Sequence, residues 1–203
     1  MKPLFLNPPT FEDFDGGAGA RYQASREVTS FWYPTWLCFP AGMIAGSRVV
    51  DAPVQKLTLE DCINIARDYD MVVMYTSTPT LMIDIETARR IKEVKPGIVT
   101  VLTGPHVTIL PEESLKAGKG IIDIVCRGEF DYSTKELCEG REWDKVDGIS
   151  FMKDGKYFAT PDRPMIEDLD ALPFVAPIYK RDLPIKDYII PHFKNPYVSI
   201  YSS

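Results

Sequence analysis

Residues 71–106, MVVMYTSTPTLMIDIETARRIKEVKPGIVTVLTGPH, carry the clearest indication of the fold class. Met71 to Tyr75 is a continuous apolar run, which is typical of a strand covered on both faces of a sheet. A polar turn follows, and apolar residues then recur at helical spacing from Leu81 to Val94. Pro96-Gly97 ends that helix, and a second apolar run from Ile98 to Leu102 leads into another turn. Strand, helix and strand in this order predict a parallel sheet with a crossover helix.

The same alternation extends in both directions along the chain. The predicted strands are residues 4–7, 48–52, 71–75, 98–102 and 121–125, and the predicted helices are residues 58–68, 81–94, a short helix opening at 111, and 130–139. We therefore expect an α/β domain in residues 1–140, with a long loop at 8–47. Its sheet is predicted to be a flavodoxin-like (Rossmann-type), doubly wound parallel sheet of five strands.

The character of the chain changes after Gly140. Two apolar segments flank Asp154-Gly155, which is a strong hairpin signal. Seven of the 17 prolines follow residue 160, and no periodic segment is evident there. We expect residues 141–203 to form a C-terminal β-hairpin followed by an extended, proline-rich linker.

Composition and charge exclude several classes of protein. The net charge is −6, from 23 basic and 29 acidic residues, which argues against nucleic acid as a partner because phosphate binding needs a basic surface. No stretch approaches 18 apolar residues, so we expect no membrane span, and the N-terminal apolar run is too short for a signal peptide. The four cysteines, Cys38, Cys62, Cys126 and Cys138, lack C-x-x-C spacing. We expect reduced thiols, no metal site and a cytoplasmic location.

The candidate binding residues lie in the loops that follow the predicted strands. In an open parallel sheet, ligands bind beyond the carboxyl ends of the strands. The candidates are Asn7, Pro8, Pro9, Thr76, Ser77, Thr78, Thr103, Gly104, Pro105, His106, Arg127, Gly128 and Glu129. These loops carry hydroxyls and glycine but few acid–base groups, so we expect a large ligand with amides or phosphate and no catalytic residue. Each loop also fits a plain helix cap, a tight turn or a surface position.

Two familiar occupants of this architecture fit the loops poorly. A phosphoacceptor receiver domain needs an aspartate at the end of the third strand, where this chain has Tyr75-Thr76. A flavodoxin binds the phosphate of FMN with a loop rich in hydroxyls after the first strand. Asn7-Pro8-Pro9 lacks those donors, so FMN is not favoured.

Three segments together resemble a known family. Asn7-Pro8-Pro9, residues 103–113 (TGPHVTILPEE) and residues 125–129 (VCRGE) look like the N-terminal domain of cobalamin-binding radical SAM proteins. Residues 147–151, the hairpin and residues 168–174 resemble the connection into that family's catalytic barrel. Residues 15–23 and 31–37 are similar to the subgroup associated with hopanoid lipid biosynthesis. Most relatives carry a Pro-Leu-Gly-Leu type of stretch where this chain has residues 33–36 (YPTW).

The resemblance implies that cobalamin is held against the carboxyl edge of the sheet. It implies that Ser77 and Thr78, together with Thr76, bind the nucleotide tail. Thr103, Gly104 and Pro105 would line the path of the tail. Asn7, Pro8 and Pro9 would face the corrin ring. The D-x-H-x-x-G motif that supplies an axial histidine in other cobalamin proteins is absent, and His106 follows the wrong strand to replace it. The lower face of the cobalt would therefore lack a protein histidine. Arg127 and Glu129, beside Gly128, are further candidates, with a helix cap as the alternative.

The resemblance also implies a larger parent enzyme. Radical SAM chemistry needs a C-x-x-x-C-x-x-C loop that binds a [4Fe-4S] cluster, which reduces S-adenosylmethionine, and this chain has no such motif. Residues 197–203 correspond to the first strand of the barrel in relatives. We expect this chain to bind cobalamin and to catalyse nothing alone. The radical SAM barrel of the parent would be its partner, and a lipid would be a compatible substrate.

Two other classes of function stay open on the residues alone. A nucleotide- or sugar-nucleotide-binding domain of a cytosolic transferase would use the same loops, with Asp51 holding a ribose. A non-catalytic interaction module would use Phe31, Trp32, Tyr33 and Trp36 as an exposed aromatic patch.

Overall fold

A seven-stranded sheet forms the centre of the protein in the computed structural model, which describes residues 1–9 and 31–199. The strands are β1 Pro3–Asn7, β2 Arg48–Asp51, β3 Met71–Tyr75, β4 Val99–Thr103, β5 Ile124–Cys126, β6 Ile149–Lys153 and β7 Lys156–Ala159. Their spatial order is β2-β1-β3-β4-β5-β6-β7, and β1 to β5 are parallel. The doubly wound α/β prediction is confirmed. Strand order reverses at β1, so the crevice beyond the ends of β1 and β3 is the expected binding position.

The predicted count of five strands is wrong, because the hairpin belongs to the same sheet. β6 pairs antiparallel with β5, with Cys126 opposite Ile149, and β7 pairs antiparallel with β6. The hairpin covers the edge of β5, whose backbone would otherwise be left unpaired. The division of the chain at residue 140 stays a prediction, although strand pairing crosses it.

Helices cover both faces of the sheet. They are α1 Thr35–Met43, α2 Ala52–Gln55, α3 Leu59–Ala66, α4 Leu81–Val94, α5 Pro105–Ile109, α6 Pro111–Ala117, α7 Asp131–Cys138 and α8 Ala176–Asp182, with short 3₁₀ helices at Trp143–Lys145, Leu169–Ala171 and Ile185–Asp187. One core packs α1, α7 and α8 on residues such as Phe5 and Val73, and the other packs α3, α4 and α6 on Leu4 and Val72. Successive strand residues point to opposite faces, so neighbouring residues enter different cores.

The helix predicted from Thr58 begins where its sequence indicates. The Thr58 hydroxyl accepts a hydrogen bond from the Asp61 N–H at 3.2 Å, and the Asp61 carboxylate accepts one from the Thr58 N–H at 2.8 Å. This capping box satisfies backbone donors that the first helical turn leaves free. Among the described helices, none has the length and apolar character needed to cross a membrane.

The predicted loop at 8–47 contains α1, which the sequence pattern did not reveal. Pro40 lies inside this helix, and a proline there normally breaks a helical pattern. Burial compensates, because Leu37, Cys38 and Ala41 are almost fully buried in the core shared with α7 and α8. Residues 10–30 of the predicted loop lie outside the described residues.

The tail after residue 160 is also more than an extended linker. Tyr179 of α8 and Tyr188 are both at most 1% exposed, and each stacks on the ring of Tyr33, at centroid distances of 4.5 and 3.9 Å. α8 has only seven residues and begins beside Pro177, so no helical period was visible. The tail therefore contributes directly to the core on one face of the sheet.

Candidate functional site

The loops after the five parallel strands meet at one edge of the sheet, as their positions in the sequence predicted. β1 ends at Asn7, β3 leads into Thr76 and β4 ends at Thr103, and all three residues are at most 5% exposed. Several polar atoms at this edge are buried and have no hydrogen-bond partner within residues 1–9 and 31–199. They are Asn7 Oδ1, Thr103 Oγ1 and His106 Nε2. Buried polar groups are normally paired, so this edge is suited to a ligand that supplies donors and acceptors.

Gly104 joins the ends of β3 and β4 at very short range. A Cβ at this position would lie 2.4 Å from the Thr76 carbonyl oxygen and 3.3 Å from the Tyr75 ring. The φ angle of +115° also lies in the region that favours glycine. In addition, the Thr76 N–H donates to the Thr103 carbonyl at 2.7 Å. The β4 loop can therefore pass this close to β3 only with glycine here.

Hydroxyl groups of the β3–α4 loop bond mainly to one another. The Ser77 N–H donates to Thr80 Oγ1 at 2.9 Å, and the Ser77 and Thr80 hydroxyls lie 3.1 Å apart. Thr78 Oγ1 shares a hydrogen bond of 3.0 Å with Nδ1 of His106. The structure thus brings Ser77, Thr78 and His106 together across two loops.

Asn7 is tied to a buried carboxylate at the end of β2. Its Nδ2 donates to Asp51 Oδ1 at 2.6 Å, and the Tyr188 hydroxyl donates to Asp51 Oδ2 at 2.6 Å. Burial and the charge of Asp51 raise the pKa of Tyr188 well above its ordinary value. Tyr188 therefore stays a phenol and a hydrogen-bond donor. Pro8 and Pro9 follow directly at the same edge, Pro8 buried and Pro9 half-buried.

The β5–α7 loop is used partly to fasten the segment after the hairpin. An Nη of Arg127 donates to the Thr160 carbonyl at 2.5 Å and lies 3.2 Å from Asp162. A carboxylate oxygen of Glu129 accepts from the Ile166 N–H at 2.6 Å. Gly128 is bonded to a different segment, because its N–H donates to the Thr108 hydroxyl at 3.0 Å. Of the three predicted residues, Gly128 is the one bonded to the β4 side of the edge.

Two adjoining cavities open at this edge and share Gly128 and Phe130. The first measures about 340 Å³ and the second about 320 Å³. The first, which we call the shelf, is lined by Tyr75, Gly104, Pro105, Thr108, Ile109, Gly128 and Phe130. The second, which we call the side cavity, is lined by Thr35, Trp36, Phe39, Gly128, Glu129, Phe130 and Asp131. Trp36 and Tyr75 pack ring to ring at 5.0 Å, which joins α1 to the shelf.

Several of these lining residues were missed from the sequence. Tyr75 and Phe130 resemble ordinary core residues at the ends of a strand and a loop, and Ile109 resembles a helix residue. Ile109 is nevertheless 76% exposed, which is unusual for a residue of its kind. Trp36 was noticed only as part of an aromatic segment. Their position in the sequence, directly beside the predicted polar loops, could have indicated that these apolar residues line the site.

Asp131 is the group in the side cavity whose proton affinity is most altered. Burial raises the pKa of its carboxyl to about 6, and the charge on Glu129 acts in the same direction.

Within the described residues, no group of three or more His, Cys, Asp or Glu side chains could hold a metal ion. The edge as a whole combines an apolar shelf, unpaired polar atoms and tight backbone. The fold and the site define a doubly wound α/β module whose carboxyl edge is suited to binding a ligand.

Comparison with known families identifies which module it is. Residues 24–137 match the model of the B12 binding domain, and the chain belongs to that family. The edge fits such a ligand, because cobalamin combines a broad corrin ring with peripheral amides and a nucleotide tail. The shelf offers apolar surface to the ring, and the unpaired atoms of Asn7, Thr103 and His106 offer partners to polar groups.

Curated relatives are longer than this chain. The uncharacterized methyltransferase PH0819 of Pyrococcus horikoshii is 31% identical over 182 residues, covering 85% of this chain and 37% of that protein. The anaerobic magnesium-protoporphyrin IX monomethyl ester cyclase of Rubrivivax gelatinosus is 34% identical over 188 residues, covering 85% and 32%. The chain thus spans about a third of the length of these curated relatives.

Solved structures share the fold. The cobalamin-dependent S-adenosylmethionine radical enzyme OxsB with aqua-cobalamin bound has a TM-score of 0.55 at 15% identity, covering 64% of this chain and 20% of that one. The radical S-adenosylmethionine methyltransferase TsrM from Kitasatospora setae, with cobalamin and a [4Fe-4S] cluster bound, has a TM-score of 0.57 at 13% identity, covering 83% and 30%. At these identities the likeness concerns the fold.

Proposed function

We propose that this chain binds cobalamin across the carboxyl edge of the sheet. The corrin ring lies over the shelf, near Asn7, Pro8 and Pro9, and the nucleotide tail enters between the ends of β3 and β4. The residues proposed for the tail are Thr76, Ser77, Thr78, Thr103, Gly104, Pro105 and His106. The observation that carries the proposal is Gly104, where any side chain would collide with the Thr76 carbonyl.

The chain's own residues would hold the ligand and keep water away from it. Tyr75, Phe130 and Ile109 cover an apolar ring face, and the backbone at Gly104 admits the tail closely. When bound, cobalamin supplies cobalt-centred methyl-transfer or radical chemistry to the parent enzyme. Arg127 and Glu129 are proposed to act beside Gly128 by fixing the β5–α7 loop through residues 160–166.

We propose further that no protein histidine coordinates the lower face of the cobalt. The sequence lacks the D-x-H-x-x-G motif, and His106 follows β4, which is the wrong strand to replace that histidine. In this proposal His106 orients the Thr78 hydroxyl toward the tail.

The parent is proposed to be a cobalamin-dependent radical SAM enzyme. The similarity of the fold to OxsB and TsrM and the greater length of the relatives support this proposal. The parent would then carry a [4Fe-4S] cluster and S-adenosylmethionine in a barrel that partners this chain. The finer proposal, a role in hopanoid lipid biosynthesis in the cytoplasm, is supported by residues 31–37 and by residues 15–23, which lie outside the described part.

The two other classes of function are not favoured. Asp51 is 1% exposed and accepts hydrogen bonds from Asn7 and Tyr188, so its carboxylate is poorly placed to hold a ribose. In the aromatic segment, Tyr33 is fully buried and Trp36 is half-buried. Trp32 is 47% exposed, but its exposed surface is too small to form an aromatic docking patch.

Retention of the cofactor tests the proposed function. The protein is mixed with hydroxocobalamin, desalted, and its visible spectrum is recorded, with a purine nucleotide as the competing ligand. We expect corrin absorbance to stay with the protein and the nucleotide to be lost. Loss of the corrin from a protein that is folded by circular dichroism would refute the proposal.

A further inference from the structure

The geometry points to a primary-amide subsite in the side cavity, with Asp131 as its specificity-determining residue. We propose that this cavity takes one peripheral amide group of the corrin ring. The inference rests on the proposed function and adds to it the residue that selects an amide over a carboxylate at one position of the ligand.

The position of the cavity is the first observation. It shares Gly128 and Phe130 with the shelf, so a group on the rim of a ligand on the shelf can enter it. Its volume of about 320 Å³ exceeds what a short amide side chain needs. Three aromatic rings, those of Trp36, Phe39 and Phe130, line it.

The polar groups of the cavity differ in what they already bind. The Thr35 hydroxyl shares a hydrogen bond of 2.5 Å with the Tyr179 hydroxyl, and Glu129 accepts from the Ile166 N–H. Asp131 is different, because within residues 1–9 and 31–199 no other residue donates a hydrogen bond to its carboxylate. The hydrogen bond that its own backbone N–H donates leaves most of the acceptor capacity of this half-buried carboxylate unused, and a ligand N–H can use it.

Among residues 1–9 and 31–199, no nearby cation compensates this carboxylate. Arg127 binds the Thr160 carbonyl and Asp162, and Arg163 binds Glu136 at 2.7 Å. Lys135, in the same helix as Asp131, lies 3.9 Å from Glu139. In the part of the chain that the structure describes, the remaining charged neighbour is Glu129; burial and, to a smaller extent, the repulsion from Glu129 raise the pKa of Asp131.

The indole N–H of Trp36 is a hydrogen-bond donor available to a ligand in the same cavity. This N–H is buried and has no acceptor among the described residues, although the ring lines the same cavity. A primary amide carries both an N–H donor for Asp131 and a carbonyl acceptor for Trp36. A cation would leave the indole N–H unpaired, and an anion would meet Asp131 and Glu129. The amide is therefore the group that fits.

The experiment uses the intact chain and two kinds of probe at pH 7.5. The probes are hydroxocobalamin and its monocarboxylic acid derivatives, in each of which one propionamide is replaced by a carboxylate. Dissociation constants are measured for the wild type, Asp131→Leu and Asp131→Asn, with circular dichroism as the check of folding. Asp154→Asn is the matched control, because Asp154 lies in the β6–β7 turn at the opposite edge of the sheet.

We expect Asp131→Leu to weaken hydroxocobalamin binding about tenfold, the effect of losing one charge-assisted hydrogen bond. At least one monocarboxylic acid should bind the wild type about tenfold more weakly than hydroxocobalamin, and Asp131→Asn should remove that difference. Asp154→Asn should match the wild type with every probe.

Three outcomes would overturn the inference. They are unchanged hydroxocobalamin affinity in folded Asp131→Leu, equal binding of all probes by the wild type, and discrimination that persists in Asp131→Asn. Failure of the wild type to bind hydroxocobalamin would instead overturn the proposed function together with this subsite, so the two failures are distinguishable.

Discussion

Gly104 lies where the ends of two parallel strands approach each other closely. Its missing side chain leaves room for the Thr76 carbonyl, and its φ of +115° is one that other residues rarely adopt. The polar loops on both sides, with Ser77 and His106, depend on this backbone path. The candidate site is thus set by a residue that contributes no side chain.

Gly104→Ala tests this dependence. The added Cβ would push the β4 loop away from β3, so we expect retention of hydroxocobalamin to fall at least about tenfold. Gly97→Ala is the matched control, because no atom lies within 4 Å of a Cβ at Gly97. Equal retention by both variants, each folded by circular dichroism, would show that the β3–β4 approach does not position the ligand.

Asp131 gives a prediction for stability against pH. Its pKa is raised from 3.8 to about 6 in the folded state, so the folded protein keeps a proton that the unfolded chain loses between these values. The contribution of Asp131 to stability should therefore fall as the pH rises from 4 to 6. Asp131→Asn removes the penalty and should unfold like the wild type at pH 4 but be more stable at pH 7, by at most about 3 kcal/mol.

Urea unfolding at the two pH values measures this difference. Asp154→Asn, in an exposed turn, should show no such dependence. A constant difference between Asp131→Asn and the wild type at both pH values would contradict the raised pKa.

At the scale of elements, the sequence predicted the regular crossover units and missed the irregular ones. α4 occupies Leu81–Val94 as its apolar period indicated, and α3 begins at its capping box. α1 was missed because Pro40 lies inside it, and α8 was missed because it has only seven residues; tertiary burial, not local pattern, stabilises both. The polar loops of the site were predictable from strand ends, whereas the apolar shelf resembled core residues and required the structure.

Tyr179→Ala tests whether α8 belongs to the core. Tyr179 is 1% exposed, stacks on Tyr33 and shares a hydrogen bond with Thr35, so we expect a loss of about 3 kcal/mol in the free energy of unfolding. Phe174→Ala, in the same tail but 88% exposed, should change stability by less than about 0.5 kcal/mol. Equal, small effects of both changes would mean that the tail is a linker after all.

At the scale of the whole molecule, one sheet has two different edges. The carboxyl ends of β1 to β5 meet the shelf and the side cavity, while the β6–β7 turn and Gly97 lie at the amino edge. A net charge of −6 disfavours polyanions as partners. We therefore propose that ligand binding occurs at the carboxyl edge only.

Chemical-shift mapping shows directly whether cobalamin binds at the carboxyl edge. Amide resonances of the labelled protein are recorded with and without hydroxocobalamin. We expect shifts for Ser77, Gly104 and Gly128 and none for Gly97 or Gly155. Shifts centred on Gly97 and Gly155, or no shifts at a saturating concentration, would contradict binding of cobalamin at the carboxyl edge.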